Sequence, residues 1–181
     1  MALIKTCPKV KLFFALMYKN KRVFGKAIKE LKHNFGEFDT KSAAYSFDFT
    51  DYYKKEMGAN LKKIVFSSKK LIQRERLPSI KIKTNMIEQK LARNGKRMIN
   101  IDPGYLTDHN MILASAKELP HRAYIGKGIF ADIQLRFRNG KFEPFSHTFK
   151  DYRQKEILDY FFNLRKVYLN IYLNLTKEIK I

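Results

Sequence analysis

The amino-acid sequence predicts a single α+β domain. Its mixed β-sheet opens with a β-α-β unit, continues in central β-hairpins and is followed by a long C-terminal helix. Three observations lead to this prediction. The 181 residues suit one domain, 45% hydrophobic residues can form a buried core, and the apolar residues switch between alternating and helical spacing. We expect an α/β core over residues 1–150 and a helix of the same domain over residues 151–181.

The β-α-β unit comes first. An apolar strand over residues 9–18 precedes a helix that Asn20 caps and Gly36 ends. A second strand over residues 38–50 alternates aromatic and polar side chains, so the two strands could pack as a parallel crossover unit.

The middle of the chain alternates between short elements. We expect a turn or short helix at residues 51–58, strands at 61–67, 97–102 and 111–116, and a helix from about residue 84 to Asn94-Gly95. Pro103-Gly104 is expected to stop the strand before it. Extended segments at 121–125 and 129–138 flank Gly126-Lys127-Gly128, and Asn139-Gly140 predicts a hairpin with residues 141–145.

The last element is a helix from about Tyr152, with Asp151 and Gln154 at capping-box spacing. Its apolar residues have heptad-like spacing: Ile157, Phe161, Leu164, Tyr168, Ile171 and Leu175. Such a seam packs across a sheet or, alternatively, forms a homodimer through residues 157–175.

The charge distribution favours an anionic partner. Lys and Arg number 37 against 17 acidic residues, and residues 51–97 alone carry fourteen basic and four acidic side chains. A concentrated basic surface attracts phosphates, so a nucleotide or RNA is the expected ligand. The alternative is that Lys, which outnumbers Arg 27 to 10, only keeps the surface soluble.

The sequence also predicts a cytoplasmic location without a membrane partner. The longest purely apolar run covers residues 12–18, far short of the ~20 residues of a spanning helix. A single cysteine, Cys7, argues against a disulfide framework and against a thiolate zinc site.

Carboxylates at one predicted strand end form the first candidate site. Asp48, Asp51 and Glu56 lie close together in the sequence, and carboxylate oxygens suit a hard divalent cation such as Mg²⁺ or a division of acid and base roles. The alternative is that they are solvated, with Asp51 capping the next short helix.

The second candidate is Asp102, just before Pro103-Gly104. Its position fits either an active-site carboxylate or an Asx-turn.

The third candidate segment runs from His121 and Arg122 to Gly126-Lys127-Gly128. The glycines let the backbone approach an anion and Lys127 adds a cation, although the segment matches no P-loop or dinucleotide fingerprint. The alternative is a turn between two strands.

These segments resemble domain-of-unknown-function family 4416 over residues 8–165. The matching residues are Phe47-Asp48-Phe49-Thr50-Asp51-Tyr52-Tyr53, Glu56-Met57-Gly58, Lys83-Thr84-Asn85, Asn94-Gly95-Lys96-Arg97, Asn100-Ile101-Asp102-Pro103-Gly104-Tyr105-Leu106, His121-Arg122-Ala123-Tyr124-Ile125-Gly126-Lys127-Gly128-Ile129 and Asp151-Tyr152. The family name implies no activity. The resemblance does imply that the polar motif residues converge on one site: Asp48, Asp51, Arg97, Asp102, His121, Arg122 and Lys127.

Three functions follow as hypotheses. In the first, a binding protein contacts phosphate and stacks bases, with Arg97, Arg122, Lys127, Gly126 and Gly128 on phosphate and Tyr52, Tyr53 and Tyr105 on bases. In the second, a phosphoryl- or nucleotidyl-transferring or hydrolysing enzyme holds Mg²⁺ through Asp48, Asp51 and Asp102 and stabilises charge with His121 or Arg122. In the third, a non-catalytic assembly protein dimerises through its last helix.

Overall fold

The computed structural model describes residues 7–178, with side chains up to Tyr172. The strands in that part are β1 (Val10–Tyr18), β2 (Phe38–Lys41), β3 (Tyr45–Phe47), β4 (Leu61–Ile72), β5 (Ile99–Leu106), β6 (Asn110–Ser115), β7 (Arg122–Gly126), β8 (Ile129–Arg138) and β9 (Lys141–Pro144). The helices are α1 (Lys21–Phe35), α2 (Lys54–Met57), α3 (Leu77–Lys90) and α4 (Lys155–Glu178). Short 3₁₀ turns cover Asp51–Tyr53, Arg74–Arg76 and Lys150–Arg153.

The strands form one sheet in the order β2-β4-β1-β5-β6-β8-β7, with β3 also on β4 and β9 also on β8. Every pair in the described sheet is antiparallel. Because β4 pairs with both β1 and β2, those two strands run in the same direction on either side of it. The β-α-β unit therefore crosses over one intervening strand. The predicted α+β class is confirmed, but the described sheet is antiparallel rather than mixed.

Helices cover both faces of the sheet. All nine residues of β1 are buried, so Phe14 and Leu16 pack under α1 while Phe13 packs under α4. On α4 the seam residues Ile157, Phe161, Leu164 and Tyr168 are buried. These four side chains are used within the chain and are not available to a partner helix, whereas the side chain of Leu175 lies outside the described part.

Several predicted element boundaries are wrong; β4, for example, extends to Ile72 rather than ending at residue 67. Helix α3 begins at Leu77, seven residues before the predicted start at about residue 84. Pro78 is tolerated there because a residue in the first helical turn loses no intrahelical hydrogen bond. The segment predicted as one strand over residues 38–50 divides into β2 and β3. Strand β5 continues through Pro103 and Gly104 to Leu106.

Gly104 marks the place where β5 and β6 separate. A Cβ atom there would lie 2.4 Å from the carbonyl oxygen of Ile112 and 2.5 Å from a ring carbon of Phe13. The two strands pair only from Gly104 to Leu106, so the earlier residues of β5 have no partner on that side. Helix α3 occupies this free edge, where Glu88 accepts the amide hydrogen of Ile101 and Lys81 donates to its carbonyl at 3.1 Å.

Among the described residues, no helix combines the length and the apolar composition that crossing a bilayer requires.

Candidate functional site

A cavity of about 1030 Å³ opens where β5 and β6 diverge. Its size matches that of small-molecule sites, which enclose roughly 300–1,000 Å³. Its lining includes seven cationic side chains: Lys63, Lys81, Arg97, Lys117, Arg122, Lys150 and Arg153. It also includes four carboxylates: Glu88, Asp102, Asp132 and Asp151. The lining therefore carries an excess of three positive charges when every group is ionised.

Lys63 and Asp151 form a buried ion pair at one side of the cavity. Lys63 Nζ donates to Asp151 Oδ2 at 2.6 Å, the Tyr45 hydroxyl donates to the same oxygen at 2.9 Å, and the ammonium lies 4.4 Å from the Tyr152 ring centroid. Burial opposes the charge of Lys63, but Asp151, Tyr45 and Asp102 together outweigh it, so the pKa of Lys63 lies above its ordinary value. Asp151 is thus an ion-pair partner rather than the predicted helix cap.

Asp102 accepts hydrogen bonds from α3 and from its own strand. Lys81 Nζ lies 3.2 Å from one carboxylate oxygen, and Asn100 donates to the other at 2.6 Å. Burial raises the pKa of Asp102, but Lys81, Lys63 and the hydrogen bond from Asn100 outweigh that effect, so the pKa is below its ordinary value. Asp102 is therefore a fixed carboxylate at neutral pH.

Arg97 continues this network towards the surface. Its guanidinium donates to Asn100 Oδ1 at 2.9 Å and to both oxygens of Glu56, the shortest at 2.7 Å. It also lies 3.7 Å from a carboxylate oxygen of Glu88. Such a fork fixes the guanidinium plane, so Arg97 is a positioned cation.

Burial raises the pKa of Glu88 to about 7, against the opposing effects of Lys81 and of the hydrogen bond from the Ile101 amide. It therefore exchanges a proton near neutral pH. Glu88 accepts the Ile101 amide hydrogen, Asp102 is the next residue along β5, and the pKa values of the two carboxyl groups are shifted in opposite directions.

Asp132 binds Arg122 in the neighbouring strand. Arg122 donates to Asp132 Oδ2 at 2.8 Å and to the Ser115 hydroxyl at 2.7 Å, while Gln134 donates to Asp132 Oδ1 at 2.6 Å. The register explains the contact, because Arg122 and Asp132 are directly opposite in the β7–β8 pair.

In the described part, His121, Asp132 and His147 form a group whose ligand atoms lie within 4.8 Å of one another. Both Asp132 oxygens already accept hydrogen bonds, and His147 Nε2 lies 2.8 Å from the carbonyl of Ile133. The two imidazoles stack at 4.2 Å and 19°. Stacked rings direct their in-plane nitrogens side by side rather than towards one ion, so this arrangement does not favour a metal centre.

Several residues singled out in the sequence do line the cavity: Tyr52, Tyr53, Arg97, Asp102 and Arg122. His121 stacks on His147, which also lines it. Their roles in binding or catalysis remain predictions.

Other candidates lie elsewhere. Asp48 and Asp51 are exposed beyond the end of β3 and face Lys54 at 3.7 and 2.6 Å. Within the described residues, their oxygens do not form a group with Asp102, so the three carboxylates expected to hold Mg²⁺ do not meet. The physical reason is that β3 ends after Phe47 and the chain turns outward.

The segment Gly126-Lys127-Gly128 is the β7–β8 turn and does not line the cavity. All three residues have positive φ, as a tight turn requires, and Lys127 donates to the Ser79 hydroxyl at 2.8 Å. Tyr105 packs against core clusters on the sheet and is not among the lining residues.

Buried charges are the site residues that sequence reasoning missed: Lys63, Lys81, Glu88, Asp132 and Asp151. The available signal was a charge at an inward position of an apolar pattern. Lys63 lies between Leu61 and Val65 in a strand, and Lys81 follows Ile80 in a helix. Charged residues are almost never fully buried unless they are paired, so such positions indicate a polar network.

The family model described as "Domain of unknown function (DUF4416)" matches residues 8–168 of the chain. No match was found among curated proteins or among solved structures.

Proposed function

The chain belongs to the DUF4416 family, and we propose that it binds a phosphorylated small molecule of nucleotide size in the cavity. The observation that carries the proposal is the excess of three positive charges lining a cavity of about 1030 Å³. Clefts lined by one sign of charge concentrate ligands of the opposite sign.

Three of the lining cations have no carboxylate partner among the described residues. Lys117 donates to the Tyr52 hydroxyl at 2.6 Å, and Arg153 donates to backbone carbonyls such as that of Ser146 at 2.7 Å. Lys150 is exposed and makes no ion pair in the described part. A phosphate can therefore bind these cations without breaking an existing ion pair.

Apolar side chains at the cavity suit a flat base. Tyr52, Leu119 and Phe149 line the cavity and remain 55%, 42% and 39% exposed. Aromatic faces stack on nucleobases with little sequence preference, contributing about 1–3 kcal/mol per base. A cavity of this volume accommodates one nucleotide, or one nucleotide of an RNA strand, rather than a duplex.

The test is isothermal titration calorimetry with nucleoside mono-, di- and triphosphates. We expect Lys117→Ala/Lys150→Ala to weaken binding about tenfold or more, since loss of two charge-assisted contacts of about 1.5–3 kcal/mol each permits at least that. The matched control is Lys26→Ala/Lys29→Ala on the exposed face of α1, which removes the same charge and should change Kd less than twofold. Absence of binding at 1 mM nucleotide, or equal losses in both variants, would count against the proposal.

We also propose that the protein acts in the cytoplasm. The support is its single cysteine, Cys7, which is exposed and free, as is common in reducing compartments. Immunoblotting of fractionated cells tests this, and recovery in a secreted fraction would contradict it.

A further inference from the structure

We propose that the cavity takes its phosphorylated ligand as the free anion, without a divalent cation. The inference rests on the proposed function, and it names the ionic form of the ligand. The side chains of the site take the place that Mg²⁺ occupies in many nucleotide-binding proteins.

Two of the four lining carboxylates are neutralised by lysine. Asp151 binds Lys63 at 2.6 Å, and both side chains are at least nine-tenths buried. Asp102 binds Lys81 at 3.2 Å through one oxygen and Asn100 through the other.

The other two carboxylates are also engaged. Asp132 binds the Arg122 guanidinium at 2.8 Å and the Gln134 amide at 2.6 Å, one on each oxygen. Glu88 accepts the amide hydrogen of Ile101 through one oxygen, and its other oxygen lies 3.7 Å from Arg97. None of the four carboxylates lining the described cavity is thus without a partner.

Mg²⁺ in nucleotide sites is held by one or two protein carboxylates together with phosphate oxygens. Here the ion would have to displace a buried Lys or Arg, which would leave that cation without a counter-ion in a low-dielectric surrounding. The remaining cations would also repel it. The exposed pair Asp48 and Asp51 offers no substitute, because neither lines the cavity.

The free anion has the opposite preference. ATP carries two more negative charges than its magnesium complex, and the cavity has three more cations than carboxylates. Both electrostatics and the engaged carboxylates therefore favour the metal-free ligand.

Calorimetric titrations of wild-type protein with ATP and with inorganic pyrophosphate test the proposal. Each probe is titrated in 1 mM EDTA and in 10 mM MgCl₂ at matched ionic strength. We expect the apparent Kd to be at least threefold higher in magnesium. A smaller ratio, or tighter binding in magnesium, overturns the inference and leaves the proposed function intact. Absence of binding in both buffers overturns both.

A variant tests the stated cause. Lys81→Met removes the ammonium that Asp102 binds and leaves one of its carboxylate oxygens without a partner at the cavity, while Asn100 still binds the other. We expect 10 mM MgCl₂ to raise the Tm of this variant by several degrees, and to change the Tm of wild type and of the surface control Lys26→Met by less than one degree. An equal response in all three proteins overturns the inference. If Lys81→Met does not fold, the wild-type titrations decide.

Discussion

Breaking the buried pair of Lys63 and Asp151 should strongly destabilise the protein. Asp151→Asn keeps the size of the side chain but removes the counter-ion of an ammonium that is only 5% exposed. Removing one partner of a buried ion pair costs about 3–5 kcal/mol, because the remaining charge is desolvated and uncompensated. For a chain of this size, a loss of about 4 kcal/mol lowers the Tm by roughly 8–16 °C.

Urea denaturation at pH 7, followed by circular dichroism, measures this loss. The informative comparison is Tyr45→Phe/Lys63→Met/Asp151→Leu, which replaces the whole polar group with apolar side chains. Such replacements are often neutral or stabilising, so we expect this variant to unfold within about 1.5 kcal/mol of wild type. Its nucleotide affinity should change little, because it loses one lining cation and one lining carboxylate and keeps the excess of three positive charges.

Two results would contradict a buried, coupled ion pair of Lys63 and Asp151. A loss below about 1 kcal/mol in Asp151→Asn is what an exposed pair gives, and would mean that water reaches the pair. A triple variant as unstable as the sum of its single changes would mean that the three side chains are not coupled.

The other predictions concern Glu88, Gly104, Phe161 and Lys127. Between pH 5 and 8 the folded state binds more protons at Glu88 than the unfolded state, since the folded-state pKa of about 7 exceeds the ordinary 4.5. The free energy of unfolding should therefore fall by about 3 kcal/mol as pH rises over this range, and by less in Glu88→Gln. A series of Tm measurements against pH checks this. Gly104→Ala should cost about 1–3 kcal/mol in urea denaturation, since its Cβ meets the backbone oxygen of Ile112; an unchanged midpoint would contradict that close approach. Phe161→Ala should cost about 3–5 kcal/mol in the same assay, and a loss under 1 kcal/mol would show that α4 does not pack as described. Lys127→Ala should leave nucleotide affinity within twofold in calorimetry, because Lys127 reaches Ser79 and not the cavity; a tenfold loss would restore the turn as a phosphate site.

Local chemistry could be predicted from the sequence because it depends on neighbouring residues. Asn20 caps α1, with its side-chain oxygen accepting from the amides of Arg22 and Val23 at 2.8 and 3.1 Å. Asn139-Gly140 forms the β8–β9 turn, with positive φ at both residues. The elements that these caps and turns bound are recognised from the spacing of apolar residues, every two in a strand and every three to four in a helix, and this spacing does not depend on which elements pack together.

The assembly of the site could not be predicted in the same way. Asp102, Asp132 and Asp151 lie in three separate segments, and strand order and register bring them to one cavity. Asp48 and Asp51 are close to one another in sequence yet point to solvent, so proximity along the chain was a poor guide to a shared site.

The α+β class, the main helices and hairpins and the charge of +20 follow from the order and composition of the residues alone. The folded structure sets which of those charges meet, because a buried ion pair depends on partners that lie far apart in the chain, as Lys63 and Asp151 do across 88 positions. It also decided where the cavity opens, since Gly104 ends the pairing of β5 with β6. Hydrophobic periodicity specifies which face of an element is inward, while the partner across that face is set by strand order and register.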